Sequence, residues 1–200
     1  MKHVIIVFLL FSVFQNIIQA QEDNNVVPKW ILEAGAGFDF TPNGNTYGLI
    51  IAGNKPVWHN HNDNLSIDVG VQGNLTIKAE GGFDGTYGTT VNTGIHIVSG
   101  TTIYLLHSKR FILKPQLFCG WSYKSTNMGI DNESLNIHQS YTDSYHYLAR
   151  GIYFQAGYAI NRGFILNAFI KADLRRLTDG DGILEYPALL YGVGIAKRIN

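Results

Sequence analysis

The stretch Asn64–Glu80, N-L-S-I-D-V-G-V-Q-G-N-L-T-I-K-A-E, alternates apolar and polar side chains throughout. Successive side chains of a strand point to opposite faces. Leu65, Ile67, Val69, Val71, Leu75, Ile77 and Ala79 therefore share one face, and Ser66, Asp68, Gly70, Gln72, Asn74, Thr76, Lys78 and Glu80 share the other. A strand this regular separates two unlike media, and the fold depends on which face meets a protein core and which meets solvent or hydrocarbon.

The same period of two recurs along the chain and predicts eight strands, at 30–40, 47–57, 64–80, 87–106, 111–125, 147–160, 164–175 and 187–199. No amphipathic helix of useful length lies between them. The connections after the second, fourth and sixth strands are compact (60–63, 108–110, 161–163). Those after the third, fifth and seventh are longer (81–86, 126–146, 176–186), and only the first of this second set, P-N-G-N at 42–45, is short. An even strand count, with short turns on one side and long loops on the other, is the layout of a closed up-and-down barrel in a membrane. The fourth segment is overlong, and a β-bulge near Ser99–Gly100 is expected there.

Composition agrees. Two hundred residues suit one domain, and 15 basic against 15 acidic residues give no reason to expect nucleic acid as a partner. Charged residues make up 15% of the chain, against about 25% in soluble domains, so something other than water faces much of the surface. Residues 1–20 carry a basic start (Lys2, His3), an apolar run and Ala20, and are expected to be a cleaved secretory signal peptide. Residues 21–29 form a short polar segment and 30–200 the barrel. A single cysteine, Cys119, allows no intrachain disulfide. The N-x-[ST] matches at Asn64, Asn74 and Asn132 are taken as chance.

The apolar rows decide the orientation. Across the eight strands, charge enters them only at strand ends, as Lys55, Arg150 and Lys197. A lipid-facing Arg or Lys costs about 2–4 kcal/mol at the bilayer midplane and about 0–1 near its boundaries. Aromatic residues fall into two expected girdles. Trp30, Trp58, Phe111, Tyr158 and Phe164 lie at the short-turn end, and Phe40, Tyr47, Tyr87, Trp121 and Tyr123 toward the long-loop end. The opposite rows carry Glu33, Asp39, Asp68, Glu80 and Asp173 with Lys78, Lys114, Lys124, Lys171, Arg175 and Arg198, and His96 lies among them. With many glycines on the same rows, this face suits the narrow lumen of an eight-stranded barrel filled by paired charges and amides.

The leader, the eight alternating strands, the short near-side turns and the polar interior resemble the small eight-stranded outer-membrane barrels of the OmpA/OmpX type, over nearly all of residues 25–200. The last strand, Y-G-V-G-I-A-K-R-I-N, departs from that pattern by closing on Ile199-Asn200 where an aromatic is usual. Pro115 departs from it by placing a residue without an N–H inside a strand. The resemblance implies an outer-membrane location, contact with outer-membrane lipid and lipopolysaccharide, and insertion by the barrel-assembly machinery. With it go a monomeric state, no cofactor or metal, and a non-enzymatic role in which the loops, chiefly 126–146, meet an extracellular partner not named by the sequence. One alternative is a secreted lipocalin-like barrel with its apolar face inward. Another is a lipid-modifying hydrolase, since His138 and Ser140 have the H-x-S spacing of outer-membrane lipid A deacylases, with Glu133, Asp143 or His146 as a third group; in this chain the pair falls in a predicted loop. His59, His61 and Asp63 read as an Asn/Asp-rich turn rather than a metal site, and Asp179–Gly182 as a turn.

Overall fold

The computed structural model describes residues 28–41, 44–81, 86–105, 110–132, 137–161, 163–173 and 188–199. Eight strands run in order: β1 (Trp30–Thr41), β2 (Gly44–His59), β3 (Leu65–Gly81), β4 (Thr86–Leu105), β5 (Phe111–Asn132), β6 (Ile137–Ala159), β7 (Phe164–Asp173) and β8 (Ala188–Ile199). Each pairs antiparallel with its sequence neighbour, and β1 pairs with β8 from Trp30↔Ile199 to Phe38↔Tyr191, which closes the ring. The expected leader and residues 21–27 lie outside the described residues.

Two near-side turns use the same device. The Asn60 carboxamide oxygen accepts the backbone N–H of Asn64 (3.0 Å) and of Leu65 (3.1 Å), while Asp63 takes a left-handed φ of 51°. The Asn161 side chain likewise accepts from Gly163 (2.8 Å) and Phe164 (2.9 Å). A short side-chain acceptor that tolerates turn geometry is why Asn and Asp gather here. His59 Nδ1 meets Asp63 Oδ1 at 2.7 Å, so the histidine contributes to the turn.

The contrast between the two ends of the barrel takes a different form from the one expected. Within the expected loop 126–146, residues 126–132 and 137–146 are strand. β5 and β6 stay paired in one unbroken register from Phe111↔Tyr158 to Asn132↔Ile137. The far-side length is therefore built into the strands: β4, β5 and β6 have 20, 22 and 23 residues against 10 in β7 and 12 in each of β8 and β1. The expected bulge at Ser99–Gly100 is also displaced. β3 and β4 pair there without a shift, and the irregularity lies between Pro56 and Trp58 of β2. Near Gly100 the β4–β5 ladder instead passes from Gly100↔Gln116 to Ile103↔Leu113, skipping Thr101 and Thr102 opposite Pro115 and Lys114. The pairing opens where Pro115 has no N–H to offer.

Burial is inside out. Leu117, Ile97 and Val193 are 66%, 65% and 69% exposed, and Val69 and Ile77 also face outward, whereas Asp68, Gln72 and His96 are wholly enclosed. This excludes a lipocalin-like arrangement. The interior is not purely polar, however. One apolar cluster joins Ile50, Val98, Phe118, Ala149, Tyr153, Phe169 and Leu190, and a second, toward the near side, joins Ile31, Ile112, Ala159, Ile165 and Ala196. The lumen is thus a packed core with polar layers set in it.

Candidate functional site

Two polar layers cross the lumen. In the near-side layer, Lys114 of β5 forms an ion pair with Glu33 of β1 and lies 3.9 Å from Asp68 of β3. Each carboxylate has further donors: Glu33 accepts from Asn54 (3.1 Å) and Gln155 (2.7 Å), and Asp68 from Ser66 (2.9 Å) and Thr102 (2.5 Å). Gln116 donates to Asn54 at 3.3 Å. A buried ion pair is tolerated only when its remaining lone pairs are occupied in this way. The residues come from six strands, so the layer braces the ring across its bore. Beside it lies a cavity of about 20 Å3 lined by Glu33, Lys114, Gln155 and Asn167 among others, room for about one water molecule.

The second layer centres on His96, enclosed in β4. Lys171 Nζ lies 3.4 Å from its Nδ1 and 4.4 Å from the centroid of the Phe118 ring, and Ser122 Oγ lies 3.0 Å from its Nε2. An ammonium has donors only, so Nδ1 accepts and Nε2 carries the hydrogen that goes to Ser122. That tautomer cannot take a proton from the serine, so the pair does not form an activated nucleophile.

Of the other residues expected in the lumen, Asp173 is buried and Asp39, Lys78 and Arg198 are half-buried, with Arg198 stacked 5.5 Å from the Tyr104 ring. The side chain of Glu80, and Arg175 entirely, lie outside the described residues. Among the residues of the expected girdles, Trp30, Trp58, Phe111 and Tyr158 are exposed at the near end and Tyr47, Tyr87, Trp121 and Tyr123 at the far end. Phe164 is half-buried under Lys197, and the Phe40 side chain lies outside the described residues. Phe111 and Tyr158 meet edge to face at 5.2 Å, and Arg110 donates to the Tyr158 hydroxyl at 3.4 Å.

The β5–β6 hairpin extends far on one side of the ring, with β5 still paired to β4 up to Thr86↔Ile130. The last described pairing of β6 with β7 is Gly151↔Asp173, and Ile137–Arg150 of β6 continue past it for about 45 Å along the strand. Trp121 donates to His146 Nδ1 (3.0 Å), and the Tyr123 ring lies 4.9 Å from the same imidazole. On the inward row, Tyr141 donates to Met128 Sδ (3.0 Å), Lys124 lies 5.6 Å from the Tyr145 ring centre, and Tyr145 lies 6.0 Å from Tyr147. Lys124 thus lies on the inward row, whereas Arg150 faces outward opposite Cys119. His138 and Ser140 lie in β6 and not in a loop; Ser140 is exposed and pairs with Gly129, and the His138 side chain lies outside the described residues. Ser140 is eight residues above Leu148 of the Trp121 level, roughly 26 Å along the strand, and the only described interaction of His146 in this region is with the Trp121–Tyr123 pair. Among the described residues no three His, Cys, Asp or Glu side chains gather as metal ligands.

A closed ring of eight antiparallel strands, an apolar exposed belt and a sealed, hydrogen-bonded interior define the class: an outer-membrane β-barrel of the small eight-stranded type. One solved structure shares the fold at a TM-score of 0.50. The chain is similar to Acinetobacter baumannii CarO, with 11% identity and a TM-score of 0.50 over 88% of this chain and 100% of that one. Neisserial surface protein A gives 11% and 0.49, over 86% of this chain and 97% of that one. Ail, the attachment invasion locus protein of Yersinia pestis, gives 15% and 0.47, over 85% and 95%. No protein-family model and no curated protein matches the chain.

Proposed function

We propose that the protein is a non-enzymatic surface protein, anchored by its barrel in the outer membrane and acting through the β5–β6 hairpin. The observation that carries this reading is the extension of the hairpin: residues 137–150 of β6 run beyond the last described β7 pairing and present Tyr141, Tyr145 and Met128 on a paired support in which β5 is flanked by β4 and β6. Tyrosines supply large amphipathic contact area at low entropic cost, and a paired hairpin loses less order on binding than a free loop. The aromatic rows at the two ends of the belt are assigned to the two lipid–water boundaries, and Arg150 to the phosphoryl groups of the outer leaflet.

The filled lumen supports a closed barrel rather than a channel. Export by residues 1–20, insertion by the barrel-assembly machinery and a monomeric state complete the proposal.

The test replaces residues 127–142 by a two-residue Asn-Gly turn between Thr126 and Asp143, which already face each other in the ladder. The shortened chain is expected to reach the outer membrane and keep heat-modifiable migration on a gel. Cells displaying the full chain are expected to attach to surfaces or to other cells, and cells displaying the shortened chain to lose that attachment. Equal attachment by both forms would overturn the role given to the hairpin.

A further inference from the structure

Between Lys124 and Arg150 the sequence holds three acids, Asp131, Glu133 and Asp143, and no Lys or Arg. In a chain whose 15 basic and 15 acidic residues balance, this segment is a net anion. Its charges are not equivalent. Asp131 lies on the outward row opposite His138, and Glu133 lies outside the described residues. Asp143 lies on the inward row of β6 with Tyr141 on one side and Tyr145 on the other, at steps of about 7 Å. The inner sense of that row is fixed by Thr126, which pairs with Asp143 and meets Thr90 at 3.1 Å, and by Tyr147, which accepts from Asn92 at 2.8 Å. Tyr141 is 58% exposed, Tyr145 is 42% exposed, and Asp143 is exposed between them.

The described cations of the chain leave this carboxylate unmatched. Lys124 places its ammonium 5.6 Å from the Tyr145 ring centre and forms no ion pair with Asp143. Lys78 stands at the same level but three ladder steps away, through Thr90 and Thr126, and lies near Asp39. A carboxylate framed by two phenol rings attracts a cation both by charge and through the ring faces, and Lys124 on Tyr145 is one such contact already made. An anionic partner is repelled by the three acids, and a neutral one would cover Asp143 without pairing it. A guanidinium suits the site better than an ammonium, because its plane stacks on a ring while its fork meets a carboxylate.

We infer that the inward face of the hairpin binds an arginine-rich segment of a partner protein, with one guanidinium seated on Asp143 between Tyr141 and Tyr145. The inference rests on the reading that the hairpin is the contact surface, and it adds the chemistry of what is contacted.

The test places the full chain in nanodiscs of zwitterionic phospholipid and measures, by fluorescence anisotropy, the binding of labelled oligoarginine, oligolysine and oligoglutamate peptides of one length. Oligoarginine is expected to bind saturably, oligolysine several-fold more weakly and oligoglutamate not at all. Asp143→Asn should weaken oligoarginine binding about tenfold, and Asp131→Asn on the outward row less than about twofold. Tyr141→Ser with Tyr145→Ser should bring oligoarginine down to the affinity of oligolysine. Heat-modifiable migration on a gel confirms that each variant is folded. Equal effects of Asp143→Asn and Asp131→Asn, equal affinity of the full chain for the two basic peptides, or no binding of either would overturn the inference. Failure of the hairpin reading itself appears differently, as equal attachment of cells displaying the full and the shortened chain, whatever the peptides do.

Discussion

A methyl group placed on Gly35 of β1 would stand 2.7 Å from Cε1 of Phe169 on β7. A methyl group on Gly37 or Gly192 would stand 3.1 or 2.4 Å from Cζ of the same ring. The large side chain lies over β8, paired with it at Phe169↔Gly192, and over β1 beyond, and it is accommodated by the missing side chains there, since a bore this narrow leaves no other room.

Gly35→Ala should therefore destabilise the barrel by about 1–3 kcal/mol, the usual cost of overpacking. In a Phe169→Leu background the same change should cost clearly less. Urea unfolding of the four members of this cycle in lipid vesicles measures the coupling; simple additivity would refute the contact.

Lys114 is the cation shared by two enclosed carboxylates, Glu33 and Asp68. Lys114→Met leaves both without their counter-charge, and a loss of about 3–5 kcal/mol is expected. Adding Glu33→Gln should recover part of it, because a neutral amide needs no ion partner. The heat at which the folded band converts to the unfolded one on a gel gives the ranking: wild type highest, the double variant next, the single variant lowest.

Position along the belt should govern the effect of a new charge. Leu117→Arg, in the middle of the outward row, is expected to cost about 2–4 kcal/mol, and Tyr87→Arg at the far rim about 0–1. Equal costs at both positions, measured by urea titration in vesicles, would mean that no hydrocarbon surrounds residue 117.

Planar bilayers containing the purified chain should show no steady conductance. The interior is occupied by Phe118, Tyr153 and Phe169 as well as by the two polar layers. Persistent open steps would contradict the packed lumen.

The period of two made the outward row readable in the sequence, because Leu65, Val69 and Ile77 have no reason to face a polar bore. It was silent where both rows are apolar. Ile50 beside Ile51, Phe118 beside Cys119, and Phe169 beside Ile170 look alike to a periodicity argument, so the apolar clusters inside the lumen did not show. The hairpin was hidden for a related reason. In 126–132 and 137–146 neither row is uniformly apolar, and a mixture of Ser, Thr, Asn and Tyr reads as loop. The lumen contacts needed three dimensions: Glu33 and Lys114 are 81 residues apart, and only ring closure brings β1 and β5 to opposite sides of one bore. The displaced irregularity has a local cause, since the constraint came from Pro56 and Pro115 rather than from Gly100.

The ladder between Trp30–Phe38 and Tyr191–Ile199 has a bearing on how the molecule comes into being. Every other seam joins neighbours along the chain and can zip as a hairpin, but this one links segments about 160 residues apart. Until Ala188–Ile199 arrives, the growing sheet has two raw borders and no inside at all. The assembly step most open to failure is thus a single late stitch, and a polypeptide stalled before it is a sticky curved sheet rather than a smaller version of the finished protein.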